Sequence, residues 1–344
     1  MIDVVIVDDS ALMRSLLSEI INAEPDMRVA GTASDALKAR ELLRRTRADV
    51  LTLDIEMPKM NGLEFLEKLM AVRPMPVVMI STHTAGGSDL TMRALEIGAV
   101  DFVAKPSLGI RDGISELEKQ IVEKVRVAAK ARVRTKAVHR STRTLPASAW
   151  ALPADNRSTI AIGASTGGTQ ALGRLFSMLP PDLPPIVVAQ HMPPLFTTSF
   201  AARLNETSRV TVKEAQDGEI MRPGHAYIAP GGSHLRVRKR GGSLVTSIGN
   251  DPAINHHRPS VDALFSSVQT AVGSGAIGVL LTGMGSDGAA GMLELHRAGA
   301  VTIAQSEESS LIFGMPKSAI DLGAVDAVLD IDEMMNAITG VLVR

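Results

Sequence analysis

Five side chains in the first third of the chain each follow a short apolar run: Asp8 and Asp9, then Asp54, Ser81 and Lys105. Three carboxylates held close together repel one another, and a hard divalent cation with a preference for oxygen relieves that repulsion. Magnesium fits that description. A carboxylate beside such a cation can accept a phosphoryl group, because the metal neutralises charge developing on the transferring oxygens. Lys105 would add a compact positive charge to the same group, and Ser81 a hydroxyl that bonds to it. Any one of these residues alone could be a helix cap or half of a structural ion pair. All five at successive strand ends form a phosphoacceptor pattern.

A second set lies further along. Gly163-Ala164-Ser165-Thr166-Gly167-Gly168 follows an apolar strand and precedes a helical pattern, a setting in which a serine projects its hydroxyl beside free backbone N–H groups. Taken alone, such a turn could equally be an anion nest in a nucleotide-binding or scaffold module. His191 ends the apolar run 186–190, and Asp287 sits in the glycine-rich stretch 282–288 beyond the run 276–281. A serine, a histidine and an aspartate past the carboxyl ends of strands in one sheet can converge as nucleophile, base and orienting acid. Their chain order differs from the Ser, Asp, His order of α/β-hydrolases. The turn 283–285 could present a backbone N–H, especially that of Met284, to a tetrahedral oxyanion. His256 and His257 compete for the role of base but rank below His191, because they sit in a polar loop after Asn255. The segment 257–262 is expected to shape the substrate cleft.

These residues need elements to position them. Residues 3–7, 27–32, 49–53, 77–80 and 101–103 read as strands, alternating with amphipathic stretches such as 11–21 and 63–72. That alternation implies βαβ units and a parallel sheet covered on both faces, doubly wound by right-handed crossovers. The theme repeats with strands at 159–163, 186–190, 226–229, 276–281 and 301–304. Residues 236–238 and 244–247, joined across Arg240-Gly241-Gly242, read as an inserted β-hairpin.

Charge separates three segments. Residues 1–123 carry 14 basic and 20 acidic residues, residues 124–154 carry 8 basic and none acidic, and residues 155–344 carry 14 and 17. The middle segment reads as a basic linker: residues 116–133 can continue a helix, and beyond about 135 Ser, Thr, Pro and Arg predominate. The absence of cysteine excludes disulfide scaffolds, thiol catalysis and cysteine-ligated metals. The apolar runs are far shorter than the roughly 18 residues of a membrane span, and the first residues resemble no export signal, so a cytoplasmic protein without membrane insertion is expected. A response regulator with a non-catalytic or DNA-binding output is the alternative that the basic linker invites. Against nucleic acid stand the acidic balance of 155–344, the lack of a basic recognition helix and an aromatic content of 3%.

Residues 1–123 resemble the receiver domain of two-component response regulators through Val7-Asp8-Asp9-Ser10, Leu53-Asp54-Ile55-Glu56-Met57-Pro58 with Asn61-Gly62, and Lys105-Pro106. The resemblance implies a flavodoxin-like fold and phosphorylation of Asp54. It also implies magnesium held by Asp8, Asp9, Asp54 and the Glu56 carbonyl, Lys105 as phosphate contact, Ser81 as switch hydroxyl and Phe102 as rotating aromatic. Residues 157–341 resemble the catalytic domain of the chemotaxis protein-glutamate methylesterases, the CheB family. The resemblance rests on residues 162–168, Gln190-His191-Met192-Pro193, Ala229-Pro230-Gly231, His257-Arg258-Pro259-Ser260-Val261-Asp262 and residues 281–288. It implies a Rossmann-like hydrolase over 155–344, with Ser165 as nucleophile, His191 as base, Asp287 as orienting acid, the Met284 N–H in the oxyanion hole and Thr166 assisting. Implied substrates are glutamyl methyl esters, and selected glutamines, of methyl-accepting chemoreceptors. A chemotaxis histidine kinase is the implied phosphodonor, and no cofactor is implied for the hydrolysis itself. The receiver is expected to pack over the Ser165 cleft until phosphorylation of Asp54 loosens it.

Overall fold

The structure is a computed structural model that describes residues 1–81, 85–105, 111–133 and 159–342. Contacts divide the chain into two units, Met1–Val138 and His139–Arg344. Most of the expected linker, residues 134–154, lies outside the described residues.

The first unit alternates strictly: β1 (Ile2–Val7), α1 (Ala11–Ala23), β2 (Met27–Ala33), α2 (Ala36–Arg45), β3 (Val50–Asp54), α3 (Gly62–Val72), β4 (Val77–Ser81), α4 (Ala85–Ile97), β5 (Asp101–Ala104) and α5 (Arg111–Ala128). The five strands pair in parallel in the order β2-β1-β3-β4-β5, the flavodoxin-like arrangement. Every residue of β3 is buried, as expected of a central strand with helices on both faces. Side chains define where helices begin. Ser10 accepts from Met13 N, Asp35 from Lys38 N, and Asn61 from Glu64 N while Asn61 Nδ2 reaches back to Glu64 Oε1 at 3.2 Å. α5 stops at Ala128, short of the expected 133. Val127 and Ala128 are its last buried residues, and Lys130 N and Ala131 N close the end with three-residue turns onto Val127 O and Ala128 O.

The second unit comprises β6 (Thr159–Ala164), α6 (Gly168–Phe176), β7 (Ile186–Gln190), α7 (Phe196–Thr207), β8 (Thr211–Glu214), β9 (His225–Ile228), β10 (His234–Arg240), β11 (Ser243–Gly249), α8 (Val261–Val272), β12 (Ala276–Leu280), α9 (Ala289–Arg297), β13 (Val301–Gln305), α10 (Met315–Asp321), β14 (Ala327–Leu329) and α11 (Ile331–Leu342). Seven strands form a parallel sheet in the order β14-β13-β12-β6-β7-β9-β8, and β10 with β11 is the separate antiparallel hairpin. The hairpin buries Leu235 and Val237 in one cluster with Leu264, Phe265 and Val268 of α8. β6, β7, β12 and β13 are buried at every residue. Strand order reverses direction around β6, which places the crevice for a ligand beyond the carboxyl ends of β6 and its neighbours β7 and β12. The edge strands β8 and β14 carry no apolar run longer than three residues in the sequence. Val212 is the one apolar residue of β8, and β14 is three residues long with Val328 exposed, so packing on a single neighbour defines them.

Candidate active site

In the first unit Asp8 follows β1 and Asp54 ends β3, both fully buried, while Asp9 is exposed. One carboxylate oxygen from each lies within 4.8 Å of the others. Lys105, just past β5, places Nζ 2.9 Å from Asp54 Oδ2 and 3.3 Å from Asp8 Oδ2. Asp8 Oδ1 accepts from Ser10 N at 2.8 Å, but Oδ2 is buried without a hydrogen bond. Glu56 N donates to Asp54 Oδ1 across 3.4 Å. Burial above all, with repulsion from Asp8, pushes the Asp54 carboxyl up to about 6 against the opposing pull of Lys105. Burial depresses Lys105 too, yet its contacts with Asp54 and Asp8 leave it above the ordinary lysine value. A buried, under-satisfied carboxylate cluster open on the Asp9 side fits a hard divalent cation. Phe102 is buried in β5, with Lys124 Nζ 5.2 Å from its ring centre and bonded to Asp101 Oδ1. Ser81 ends β4 opposite Ala104, but its side chain and all of Pro106 lie outside the described residues.

In the second unit the turn after β6 brings Ser165 to the end of the sheet. Ser165 N donates to Thr282 O at 3.0 Å, and Gly168 N donates to Ser165 O at 2.7 Å. Gly167 turns the chain into α6 with a φ of 80°, a conformation that glycine adopts without penalty. From β7, Gln190 Nε2 donates to Ser165 O at 3.0 Å and to His191 O at 3.2 Å, tying the Ser165 turn to the strand end that carries His191. Thr282, past β12, donates its hydroxyl to Thr166 O at 3.0 Å and to Ile312 O at 3.1 Å, and accepts from Ile312 N. Thr166 is held in this way beside Ser165. Gly283 lies so close to Ser165 that a Cβ there would come within 2.7 Å of Ser165 Cβ, and Gly283 O accepts from Gly314 N and Met315 N. Met284 follows on this pinned turn, its side chain partly exposed.

Ser165 Oγ lies 3.1 Å from His191 Nδ1, and His191 Nε2 lies 2.8 Å from Asp287 Oδ2. Asp287 is buried, yet its oxygens are saturated with donors. Oδ2 also accepts from Val261 N at 2.6 Å, and Oδ1 accepts from Ser260 Oγ at 2.8 Å, Asn255 Nδ2 at 2.9 Å and Asp262 N at 3.3 Å. Burial alone would raise this carboxyl, but the hydrogen bonds and charge of His191, with those of Asn255 and the Val261 N–H, hold it well below the usual range. An ionised Asp287 is acceptor only, so Nε2 carries the imidazole proton and Nδ1 presents a lone pair to the serine. The two ring nitrogens thus exchange the roles they have in the serine-protease triad, where Nδ1 faces the aspartate.

Residues 255–262 pack around Asp287. Ser260, Val261 and Asp262 supply three of the donors on Asp287, and Asn255 Nδ2 bridges Asp287 to Asp262 Oδ2 at 2.7 Å. Burial first, and repulsion from Asp287, raise Asp262. The His257 ring stacks on that of His191, centres 3.7 Å apart and planes 14° from parallel. The sequence marks 257–262 as a matching segment and His257 as a lesser candidate for the base, but no spacing rule points to contacts with Asp287 or to a ring stacked on His191.

A family model described as CheB methylesterase matches residues 160–338, and one described as response regulator receiver domain matches residues 4–115. The chain is 53% identical over 341 residues to the protein-glutamate methylesterase/protein-glutamine glutaminase of Paraburkholderia xenovorans (strain LB400), an alignment covering 97% of this chain and 94% of that one. It is 54% identical over 335 residues to the protein of the same description from Pectobacterium atrosepticum, covering 97% and 95%. Among solved structures it resembles the Thermotoga maritima CheB methylesterase catalytic domain at 42% identity and a TM-score of 0.52, covering 52% of this chain and 96% of that one.

Proposed function

Because this chain belongs to the CheB methylesterase family and is a protein-glutamate methylesterase/protein-glutamine glutaminase carrying a receiver domain, we propose that Ser165 is its nucleophile, His191 its base and Asp287 the acid that orients the base. The observation that carries this reading is the unbroken relay from Ser165 Oγ through His191 to Asp287 at 3.1 and 2.8 Å. Ser165 Oγ attacks the glutamyl carbonyl carbon as its proton passes to His191 Nδ1. Asp287 stabilises the resulting imidazolium. The tetrahedral oxyanion faces the Met284 N–H, a donor worth about 3–4 kcal/mol when well placed, and Thr166 assists beside the nucleophile. Collapse breaks the bond to the leaving group, which departs with the His191 proton as methanol from an ester or ammonia from a glutamine. Water, activated by the same nitrogen, then hydrolyses the acyl-enzyme to glutamate and restores Ser165.

Substrates are the methylated glutamates and selected glutamines of methyl-accepting chemoreceptors, reached from the cytoplasm. A receiver over residues 1–123, a basic linker over 124–154 and a hydrolase over 155–344 make the activity answerable to a chemotaxis histidine kinase that phosphorylates Asp54. Asp8, Asp9, Asp54 and the Glu56 carbonyl would hold magnesium, which supplies charge neutralisation for phosphoryl transfer. Lys105 contacts the phosphoryl group, with Ser81 and Phe102 relaying its presence. Among the described residues no helix is long and apolar enough to cross a membrane.

Methanol release from methylated receptor tests the nucleophile. Ser165→Ala abolishes it, and undiminished release refutes the serine mechanism. A phosphodonor with magnesium accelerates the wild type and leaves Asp54→Asn unchanged; equal acceleration of both refutes the regulatory route.

A further inference from the structure

His191 is held at both nitrogens, but two hydrogen bonds do not fix the tilt of its ring. The torsion between a histidine's Cβ and its ring is broad and roughly two-fold, so the side chain itself leaves the plane loose. The stacked ring of His257, 3.7 Å away and nearly parallel, occupies the space into which His191 would tilt. We propose that His257 is a positioning residue, a stacking platform that keeps the His191 ring in the plane shared by Ser165 Oγ and Asp287. This rests on the reading of His191 as the base.

The platform is built from the same loop that binds the acid. Ile254 and His257 exchange backbone hydrogen bonds at 3.1 and 2.9 Å, closing a tight loop around Asn255 and His256. Both enclosed residues have left-handed backbone, φ 52° and 66°, a conformation uncommon outside glycine. Two such residues in a row persist only where the surroundings over-determine them, and here the surroundings are functional. Asn255 anchors the loop to Asp287 Oδ1, and on the far side Gly232 N donates to Arg258 O at 3.1 Å while Arg258 Nη1 bonds Asn250 O and Asp251 O. Displacing His257 therefore means disturbing the loop that binds the triad carboxylate. A ring face also excludes water from one side of His191.

The test uses the full-length protein and follows methanol release across substrate concentrations, with melting curves for each variant. His257→Ala lowers kcat about 10- to 100-fold with KM changed less than about threefold, the size expected of a base displaced by a fraction of an ångström to an ångström. His257→Phe restores the face without nitrogen and recovers most of kcat. Wild-type kcat in His257→Ala overturns the proposal, and so does a His257→Phe as slow as His257→Ala, because the imidazole nitrogens would then be the need. Should His257→Ala melt below the assay temperature, His257→Phe decides alone: near wild-type kcat supports the platform and collapse overturns it. His191→Ala separates this from the underlying reading. If it keeps activity the base assignment falls and the platform with it, whereas an inactive His191→Ala beside an unaffected His257→Ala sinks only the platform.

Discussion

Asp287→Asn changes one heavy atom, keeps the volume of the site, and isolates the carboxylate's capacity to accept. Five donors converge on Asp287: His191 Nε2 and Val261 N on Oδ2, and Ser260 Oγ, Asn255 Nδ2 and Asp262 N on Oδ1. An amide must turn its NH2 toward one of these sets. Placed at the Oδ1 position, it opposes Asn255 Nδ2 and Asp262 N, since only the Ser260 hydroxyl can reverse its role. Placed at the Oδ2 position, it opposes Val261 N alone, because His191 can adapt by accepting at Nε2. Each buried donor left unmet costs about 1–3 kcal/mol, so the second placement is preferred by about that much. Its consequence is a changed tautomer. With Nε2 accepting, the imidazole proton sits on Nδ1, 3.1 Å from Ser165 Oγ, and the lone pair that should receive the serine proton is gone. The first placement keeps the tautomer but offers a neutral carbonyl to the imidazolium.

Turnover should therefore fall by about 10⁴-fold, roughly 5 kcal/mol of transition-state stabilisation. KM should change little, because Asp287 is buried behind His191. Methanol release at saturating methylated receptor measures kcat, and a melting curve separates the loss from unfolding. A folded variant with kcat within about tenfold of wild type would refute the tautomer argument.

Three further outcomes follow from the same coordinates. Asp54→Asn in magnesium-free buffer should raise the first melting transition at about pH 8 and make no difference below about pH 4. The folded carboxyl titrates at about 6, above its unfolded range, so the folded state binds the extra proton between those values and loses up to about 3 kcal/mol as pH rises through them; equal melting of both proteins at about pH 8 contradicts this. Thr282→Val removes the hydroxyl that joins Thr166 O, Ile312 O and Ile312 N, and should cost about 1–3 kcal/mol of stability with a measurable loss of kcat; an unchanged melting temperature counts against the clamp. Gly283→Ala would bring Cβ within 2.7 Å of Ser165 Cβ and 2.3 Å of Met315 Sδ, so kcat should fall steeply, and full methanol release from this variant argues that the turn is not packed against Ser165.

The parts of the molecule legible in the sequence were those with a period or a position. β6, β7 and β12 are buried at every residue and read as continuous apolar runs, so the strand ends carrying Ser165, His191 and Asp287 could be located by counting. Edge strands escaped because β8 and β14 bury little and alternate poorly. The helical reading to residue 133 overshot because composition permits a helix wherever Lys, Arg and Ala abound, while tertiary burial ends it after Ala128. Contacts across long stretches of chain were invisible: nothing about Asn255 or Ser260 announces a bond to a carboxylate 32 or 27 residues later. A stacked pair such as His191 and His257 has no spacing rule at all, since it depends on where two loops from different strands meet.

Asp54 and Asp287 show why strand-end position alone does not assign chemistry to a carboxylate. Both are buried at the carboxyl end of a parallel sheet, and in both burial is the largest influence, pushing the carboxyl upward. Their fates diverge with the number of donors. Asp54 has the Lys105 ammonium and one long bond from Glu56 N, and it stands beside another buried carboxylate, Asp8. Its charge is left under-satisfied, which suits the binding of a hard cation. Asp287 has five donors, one of them His191, and its carboxyl is held well below the usual range. A carboxylate so saturated is a poor nucleophile and a good anchor, able to stabilise an imidazolium without taking its proton. The contrast predicts that Asn255→Ala, which removes one donor from Asp287, lowers kcat for methanol release in a protein that still folds; a folded variant with wild-type kcat contradicts it.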